Sequence, residues 1–181
     1  MDWECLSDID LMTKVQQGHL CAFDAIVHKH QHSLFNFFRK IGVSSLEAED
    51  LTQEVFLRLF SYRKEYKPLA KFTTFLYTLA HHVWVDYLRK NKSRISATSL
   101  PEMDTLQEAI FFSYSDKSDL QEALNTLPEH LRSIVVMSIY QRLKYQEIAD
   151  ILKIPLGTVK SRMFCALRQI KEICNAKEFQ S

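Results

Sequence analysis

Apolar side chains recur three and four residues apart along most of this chain of 181 residues, and that spacing limits its fold more than any other feature. Such a repeat places the apolar residues on one face of a helix. The chain has only three glycines and four prolines, too few for the many tight turns of an all-β protein. The sequence therefore predicts an all-α fold.

The first half of the chain predicts three helices. The repeat runs over residues 8–40 and stops at Gly42, a residue that commonly ends helices. Ser44 and Ser45 can cap a second helix over 47–60, in which Phe56 and Leu59 are expected in the core. A polar loop over 61–71, which contains a proline, precedes a third helix over 72–90.

The periodicity is lost after the third helix, where serine, threonine and acidic residues dominate. Residues 95–122 carry six acidic side chains and one basic one, between two blocks that are mildly basic. A stretch of this length without periodicity is unusual inside one compact domain. We therefore expect two helical domains, over 8–94 and 120–176, joined by a flexible acidic linker over 95–119.

Helical spacing returns in the second block. Pro128 opens a helix over 129–140, in which Ile139 is expected to face inward. A short helix at 145–152, a turn at 153–154 and a long helix from about Pro155 then follow.

The last two helices have the layout of a helix-turn-helix. The apolar residues expected at the buried contact are Ile148, Ala149, Ile151 and Leu152 on the first helix and Val159 and Met163 on the second. The start of such a second helix enters the DNA major groove, so its basic, hydroxyl and aromatic residues favour DNA binding over a solvated amphipathic helix. The candidate DNA contacts are Thr158, Lys160, Ser161, Arg162, Phe164 and Arg168.

Aromatic and basic residues alternate in the loop 61–71 and the helix 72–90. Aromatic rings stack unpaired bases while cations follow the backbone, so this mixture suits single-stranded or melted DNA. Tyr66 and His82 are the candidates for base contact. The candidates for phosphate contact are Lys71, Arg89, Lys90 and Lys92.

Asp50, Gln53, Glu54 and Leu57 lie three and four residues apart on the helix 47–60, and so share one face. This face suits a partner helix with basic residues; a solvated face is the alternative.

Three groups of segments carry a family resemblance. The segments LPEHLR, YQEIADIL and IPLGTVKSRM resemble region four of a sigma factor. EAEDLTQEVFLRLF resembles the region-two helix that grips RNA polymerase, and KFTTFLYTLAHHVWVDYLRKNKSR resembles the helix that opens and reads the promoter −10 element. Their order and spacing resemble the short, two-domain extracytoplasmic-function (ECF) sigma factors.

The resemblance implies partners and roles for these surfaces. Core RNA polymerase would bind the Asp50 face through the coiled coil of its largest subunit, and promoter DNA would bind at the −10 and −35 elements. His82 stands where relatives often have Asn. A separate anti-sigma factor, a cytoplasmic location and no cofactor are further expectations.

Other classes of protein find little support in the sequence. No apolar run is long enough to span a membrane, and four cysteines without a CxxC spacing favour a reducing compartment. No motif for catalysis or for a small-molecule substrate is present. Asp24, His28 and His32 have a spacing that can hold a metal but are interpreted as a solvated face, so no metal is expected. A stand-alone helix-turn-helix repressor or activator and an inactive sigma-like decoy remain as alternatives.

Overall fold

The computed structural model describes residues 3–91 and 123–178, which are helices joined by turns, with no strand within these ranges. This confirms the all-α prediction. Lys92 and the predicted linker 95–119 lie outside the described residues, as do the predicted boundaries between linker and domains. The described helices belong to two compact units, one built from the helices before residue 92 and the other from those after it.

Two helices occupy the segment 8–40, where the apolar repeat predicted one. Helix α1 spans Asp8–Gln16 and α2 spans Leu20–Lys40. The prediction of a continuous helix is wrong because Gly18 adopts a φ of +95°, which an α-helix cannot contain. Ser7 begins α1 with a side-chain cap, in which its Oγ accepts a hydrogen bond from the Asp10 N–H.

Helix α3 spans Ser45–Ser61 and begins at a cap on Ser44. The Ser44 Oγ accepts from the Glu47 N–H and donates to the Glu47 carboxylate at 2.5 Å. A 3-10 turn at Tyr62–Lys64 and a loop follow, and α4 then spans Phe72–Asn91.

The core of the first unit contains side chains from all four helices. Phe37 on α2 is fully buried and meets the Tyr77 ring of α4 edge-on, with their centroids 5.5 Å apart. Phe56 and Leu59 of α3 are also buried, as the sequence predicted. Fully buried aliphatic residues on the four helices include Leu11, Ile26, Leu34, Leu59 and Leu76.

The described part of the second unit starts with helical residues at 123–126. Helix α5 spans Glu129–Val135 and continues into a π-helix at Val136–Tyr140. The wider π turn changes the direction in which the following side chains point. Ile139 is 48% exposed for this reason, so the prediction that it faces inward is wrong.

Helices α6, Tyr145–Leu152, and α7, Leu156–Glu178, form a helix-turn-helix. Lys153 ends α6 in a left-handed conformation, and the Ile154 N–H bonds to the Ala149 carbonyl at 3.2 Å. Of the residues predicted to face inward, Leu152 is only half-buried, whereas the others are buried, with Ile148 and Val159 inaccessible to solvent.

We expect Phe37→Ala to lower the free energy of unfolding of the first unit by about 3–5 kcal/mol, because it leaves a cavity in a close-packed core. Urea unfolding followed by tryptophan fluorescence measures this unit alone, since Trp3 and Trp84 are the two tryptophans of the chain and both belong to it. Leu69→Ala is the control, because Leu69 is 89% exposed. Equal losses in both variants would contradict the assigned core.

Candidate functional site

The predicted partner face on α3 is exposed. Asp50 and Gln53 are exposed, and Leu57 is 64% exposed, which is unusual for a leucine. Glu54 is half-buried, and its Oε1 lies 2.8 Å from the Arg58 Nε. The face therefore presents polar groups beside an apolar side chain.

Leu46 extends the same face and was not predicted from the sequence. It is 72% exposed and lies four residues before Asp50, one helical turn away. The same spacing that identified the rest of the face could have identified Leu46. With Leu46 included, two exposed leucines flank the polar residues Asp50 and Gln53.

A chain of ion pairs connects α3 to α4. The Arg58 Nη1 lies 2.9 Å from the Asp86 Oδ2, while its Nε is bonded to Glu54. The hydrogen bonds to Glu54 and Asp86 together outweigh partial burial and raise the pKa of Arg58 above its usual value. The bond from Arg58 in turn lowers the pKa of Asp86. Arg89 approaches the other oxygen of Asp86 at 3.6 Å.

Tyr66 is buried, and this corrects its predicted role. Its side chain is 7% exposed and its ring contacts the rings of Phe72 and Phe75, at centroid distances of 6.2 and 5.2 Å. Burial raises the pKa of the Tyr66 hydroxyl, which has no hydrogen-bond partner. The structure therefore does not support stacking of Tyr66 on a base. The Tyr66 ring instead packs against α4, where it anchors the loop that leads into that helix.

The other predicted −10 residues lie at the surface. His82 is exposed on α4, and Lys71, Arg89 and Lys90 are exposed before and at the end of that helix. The adjacent His81 differs, because its Nδ1 is buried without a partner and its ring lies 5.9 Å from the Trp84 ring. Desolvation, with a smaller effect of His82, lowers the pKa of His81 to about 4.

The candidate DNA residues lie on the first turns of α7, outside the buried contact with α6. Lys160 and Arg168 are exposed, and the Ser161 Oγ donates to the Thr158 carbonyl at 3.2 Å. Helical periodicity puts Ser161 and Arg168 opposite the buried Val159 and Met163. Thr158 and Phe164 lie about 120° from the buried face, and Lys160 and Arg162 lie at its two sides, about 80° away. Burial, with a smaller effect of the Arg162 charge, lowers the pKa of His130 on α5.

Asp24, His28 and His32 are exposed on α2. Within the described ranges, three or more His, Cys, Asp or Glu side chains nowhere converge as a metal site requires. None of the helices described there combines the length and hydrophobicity of a membrane span.

Comparison with protein-family models gives two matches, in the order that the sequence predicted. Residues 26–94 match Sigma-70 region 2, and residues 117–170 match Sigma-70, region 4. The chain is also 31% identical over 183 residues to the ECF RNA polymerase sigma factor SigE of Mycolicibacterium smegmatis, covering 94% of this chain and 70% of that relative. This chain belongs to the ECF subfamily of the sigma-70 family. Members of this subfamily act in promoter-specific transcription initiation. They are initiation factors by family, not enzymes.

A second relative agrees with this family, and two solved structures share the fold. The ECF RNA polymerase sigma-E factor of Escherichia coli is 28% identical over 180 residues, covering 92% of this chain and 94% of the relative. CnrH, solved with the cytosolic domain of CnrY, has the same fold with a TM-score of 0.70 at 17% identity, over 93% of this chain and 97% of that one. RpoE of Bartonella quintana, solved with the anti-sigma factor NepR, gives 0.67 at 21% identity, over 84% and 96%.

We expect the stability of the first unit to fall as the pH drops from about 6.5 towards 4, in part because of His81. In this range the unfolded chain binds a proton at His81 that the folded protein excludes, so protonation favours unfolding. His81→Phe should make urea midpoints less sensitive to pH between these values. His82→Gln should change the dependence much less, because desolvation has a larger effect on the pKa of His81 than His82 does. An unchanged pH dependence in His81→Phe would contradict the burial of this imidazole.

Proposed function

We propose that three surfaces of this sigma factor each bind a different partner during promoter-directed initiation. The exposed face of α3 binds core RNA polymerase, the loop and end of α4 bind the −10 element, and the start of α7 binds the −35 element. The proposed domains are 8–94 for the first two roles and 120–176 for the third. The exposed face of α3 is the observation that carries the proposal, because a repressor that binds duplex DNA has no need of it.

The polymerase surface consists of Leu46, Asp50, Gln53 and Leu57, with Glu54 beside them. Two exposed leucines around polar groups suit a helix that offers both apolar and basic side chains. Asp50 is the acid that we expect to contribute most to this interface. Glu54 already bonds to Arg58 at 2.8 Å, so a new partner would have to compete with that guanidinium.

The −10 surface consists of one base-reading candidate and several cations. The exposed imidazole of His82 can donate and accept hydrogen bonds at a base edge when neutral. Lys71, Arg89 and Lys90 are exposed and suit the phosphate backbone. Lys92, outside the described residues, remains a sequence prediction with the same role.

The −35 surface is the outward side of α7. Lys160 and Arg168 are long, exposed cations, and Ser161 and Phe164 lie between them on the helix. Cations can bind phosphates or guanine, and a phenyl ring can contact a thymine methyl. Thr158 and Arg162 follow one edge of this surface and suit contacts with the flanking backbone or the groove edge.

Two further proposals concern the whole chain. The acidic linker 95–119 would avoid DNA and could mimic nucleic acid on the polymerase. A separate anti-sigma factor would hold the protein inactive in the cytoplasm, where core polymerase acts. The complex of RpoE from Bartonella quintana with the anti-sigma factor NepR supports the existence of such a partner without identifying it for this chain.

We expect Asp50→Ala to weaken binding of the full chain to core RNA polymerase by about tenfold, or ~1.4 kcal/mol. Glu49→Ala is the matched control, because it removes the same charge from the adjacent exposed position, about 100° around α3. Fluorescence titration of labelled protein with core polymerase measures both affinities. Equal affinities for the two variants would contradict the assigned face.

We expect Lys160→Ala to reduce the salt dependence of −35 DNA binding by the holoenzyme, with a log–log slope smaller by about 1, if Lys160 neutralises one phosphate. Lys171→Ala is the control, because Lys171 is exposed on the same helix about three turns further on. Binding is measured between about 50 and 200 mM salt. An equal decrease in slope for Lys171→Ala and Lys160→Ala would contradict the assignment of the −35 contact to the start of α7.

A further inference from the structure

The loop before α4 presents an apolar residue at its tip. Leu69 is 89% exposed, the highest value among the exposed large apolar side chains in the part of the chain that the structure describes. Water contact over so much of a leucine side chain forgoes roughly 1.5–3 kcal/mol of hydrophobic stabilisation. The folded domain itself does not use this side chain, which is therefore available for contact with a partner.

Both ends of this loop are anchored. At one end the Tyr66 ring is buried, and the Gln16 Nε2 of α1 donates to the Tyr66 carbonyl at 2.9 Å. At the other end Phe72 is buried as the first residue of α4. The Leu69 N–H also bonds to the Lys67 carbonyl at 2.8 Å, which tightens the tip. The exposed leucine is thus held on a short, braced loop, and little conformational entropy would be lost when it binds a partner.

The charges beside Leu69 indicate what it contacts. Lys67 and Lys71 flank it two residues away on each side, and both are exposed. Pro68 precedes it and restricts the backbone. An apolar tip between two cations fits a polyanion that also has apolar faces, which describes the phosphates and bases of DNA. An apolar groove on a protein would pair the two lysines only if acidic side chains lined it, whereas every nucleotide of DNA carries a phosphate.

We propose that Leu69 is an apolar wedge that inserts at a base step of the −10 element and stabilises the opened strand, while Lys67 and Lys71 hold the adjacent phosphates. Apolar side chains that enter base steps unstack DNA in this manner. Leu69 thus takes the place of Tyr66, for which the sequence predicted a base contact. The Tyr66 ring instead anchors one end of the loop. This inference rests on the proposed −10 role of the first unit.

The test compares Leu69→Ser with wild type in promoter opening by the reconstituted holoenzyme. Two DNA templates are used, a duplex promoter selected by the wild-type holoenzyme and the same promoter with a mismatched, already open −10 element. Permanganate reactivity of unpaired thymines measures opening. Retention of labelled DNA with the holoenzyme on a nitrocellulose filter measures binding. Leu69→Met tests rescue by a side chain of similar volume. Leu20→Ser is the control, because Leu20 is 61% exposed at the start of α2.

If Leu69 is a wedge, Leu69→Ser should open the duplex promoter about tenfold less than wild type, a difference of ~1.4 kcal/mol. Binding of this variant to the open template should stay within about twofold of wild type. Leu69→Met and Leu20→Ser should open the duplex as wild type does. Unchanged opening in Leu69→Ser, or equal losses on both templates, would overturn the role of Leu69 while wild-type opening still supports the −10 surface. A wild-type holoenzyme that opens no promoter would overturn the proposed function, and the wedge with it.

Discussion

The packing of α3 against α4 is the constraint on which the first unit depends. Each helix gives one face to a shared core, in which Leu59 of α3 and Leu76 of α4 are fully buried. Polar bonds fix the pair at both ends of α3, because Glu47 accepts from the Tyr87 hydroxyl at 2.9 Å and Arg58 binds Asp86 at the same distance. Surface ion pairs contribute little stability by themselves, so the apolar contact holds the helices and the polar bonds fix their rotation. That rotation decides which side chains of each helix remain exposed.

Because α3 and α4 cannot rotate about their own axes, each of them presents a constant set of exposed side chains, and the two sets suit two different partners. The outward face of α3 carries Asp50 between exposed leucines, and α4 carries His82 and two terminal cations. Arg58 lies between these surfaces and bonds to a side chain of each helix. The proposed polymerase and −10 surfaces are therefore parts of one rigid pair of helices, and polymerase bound to one helix would hold the other in a defined place.

Much of this arrangement could be predicted from the sequence, where local signals agree with packing. The helix at 145–152 has the predicted bounds, because Glu147 in its first turn bonds to the Lys144 N–H and a tight turn ends it. The start of α3 follows from the Ser44 cap. The residue set on its exposed face follows from the helical period, although Leu46 was overlooked there.

The predictions that failed did so for different physical reasons. Gly18 interrupts a segment whose apolar repeat continues on both sides, so periodicity alone did not reveal the break. Ile139 lies in the π-helix and is exposed, and no local sequence pattern marks such a turn. Tyr66 lies among lysines in a polar loop, yet its ring is buried against residues of α4, which is a contact that composition could not indicate.

The central claim is that one chain binds core polymerase through α3 and gives it promoter specificity through α4 and α7. Reconstituted run-off transcription tests this claim most directly, with sigma-free core polymerase, a pool of promoter DNA and either wild type or an Asp50→Ala/Leu57→Ala variant. The account predicts discrete transcripts with wild type, shared −10 and −35 sequences among their promoters, and loss of the transcripts with the variant. The absence of transcripts, together with tight binding of the chain alone to duplex DNA, would contradict it.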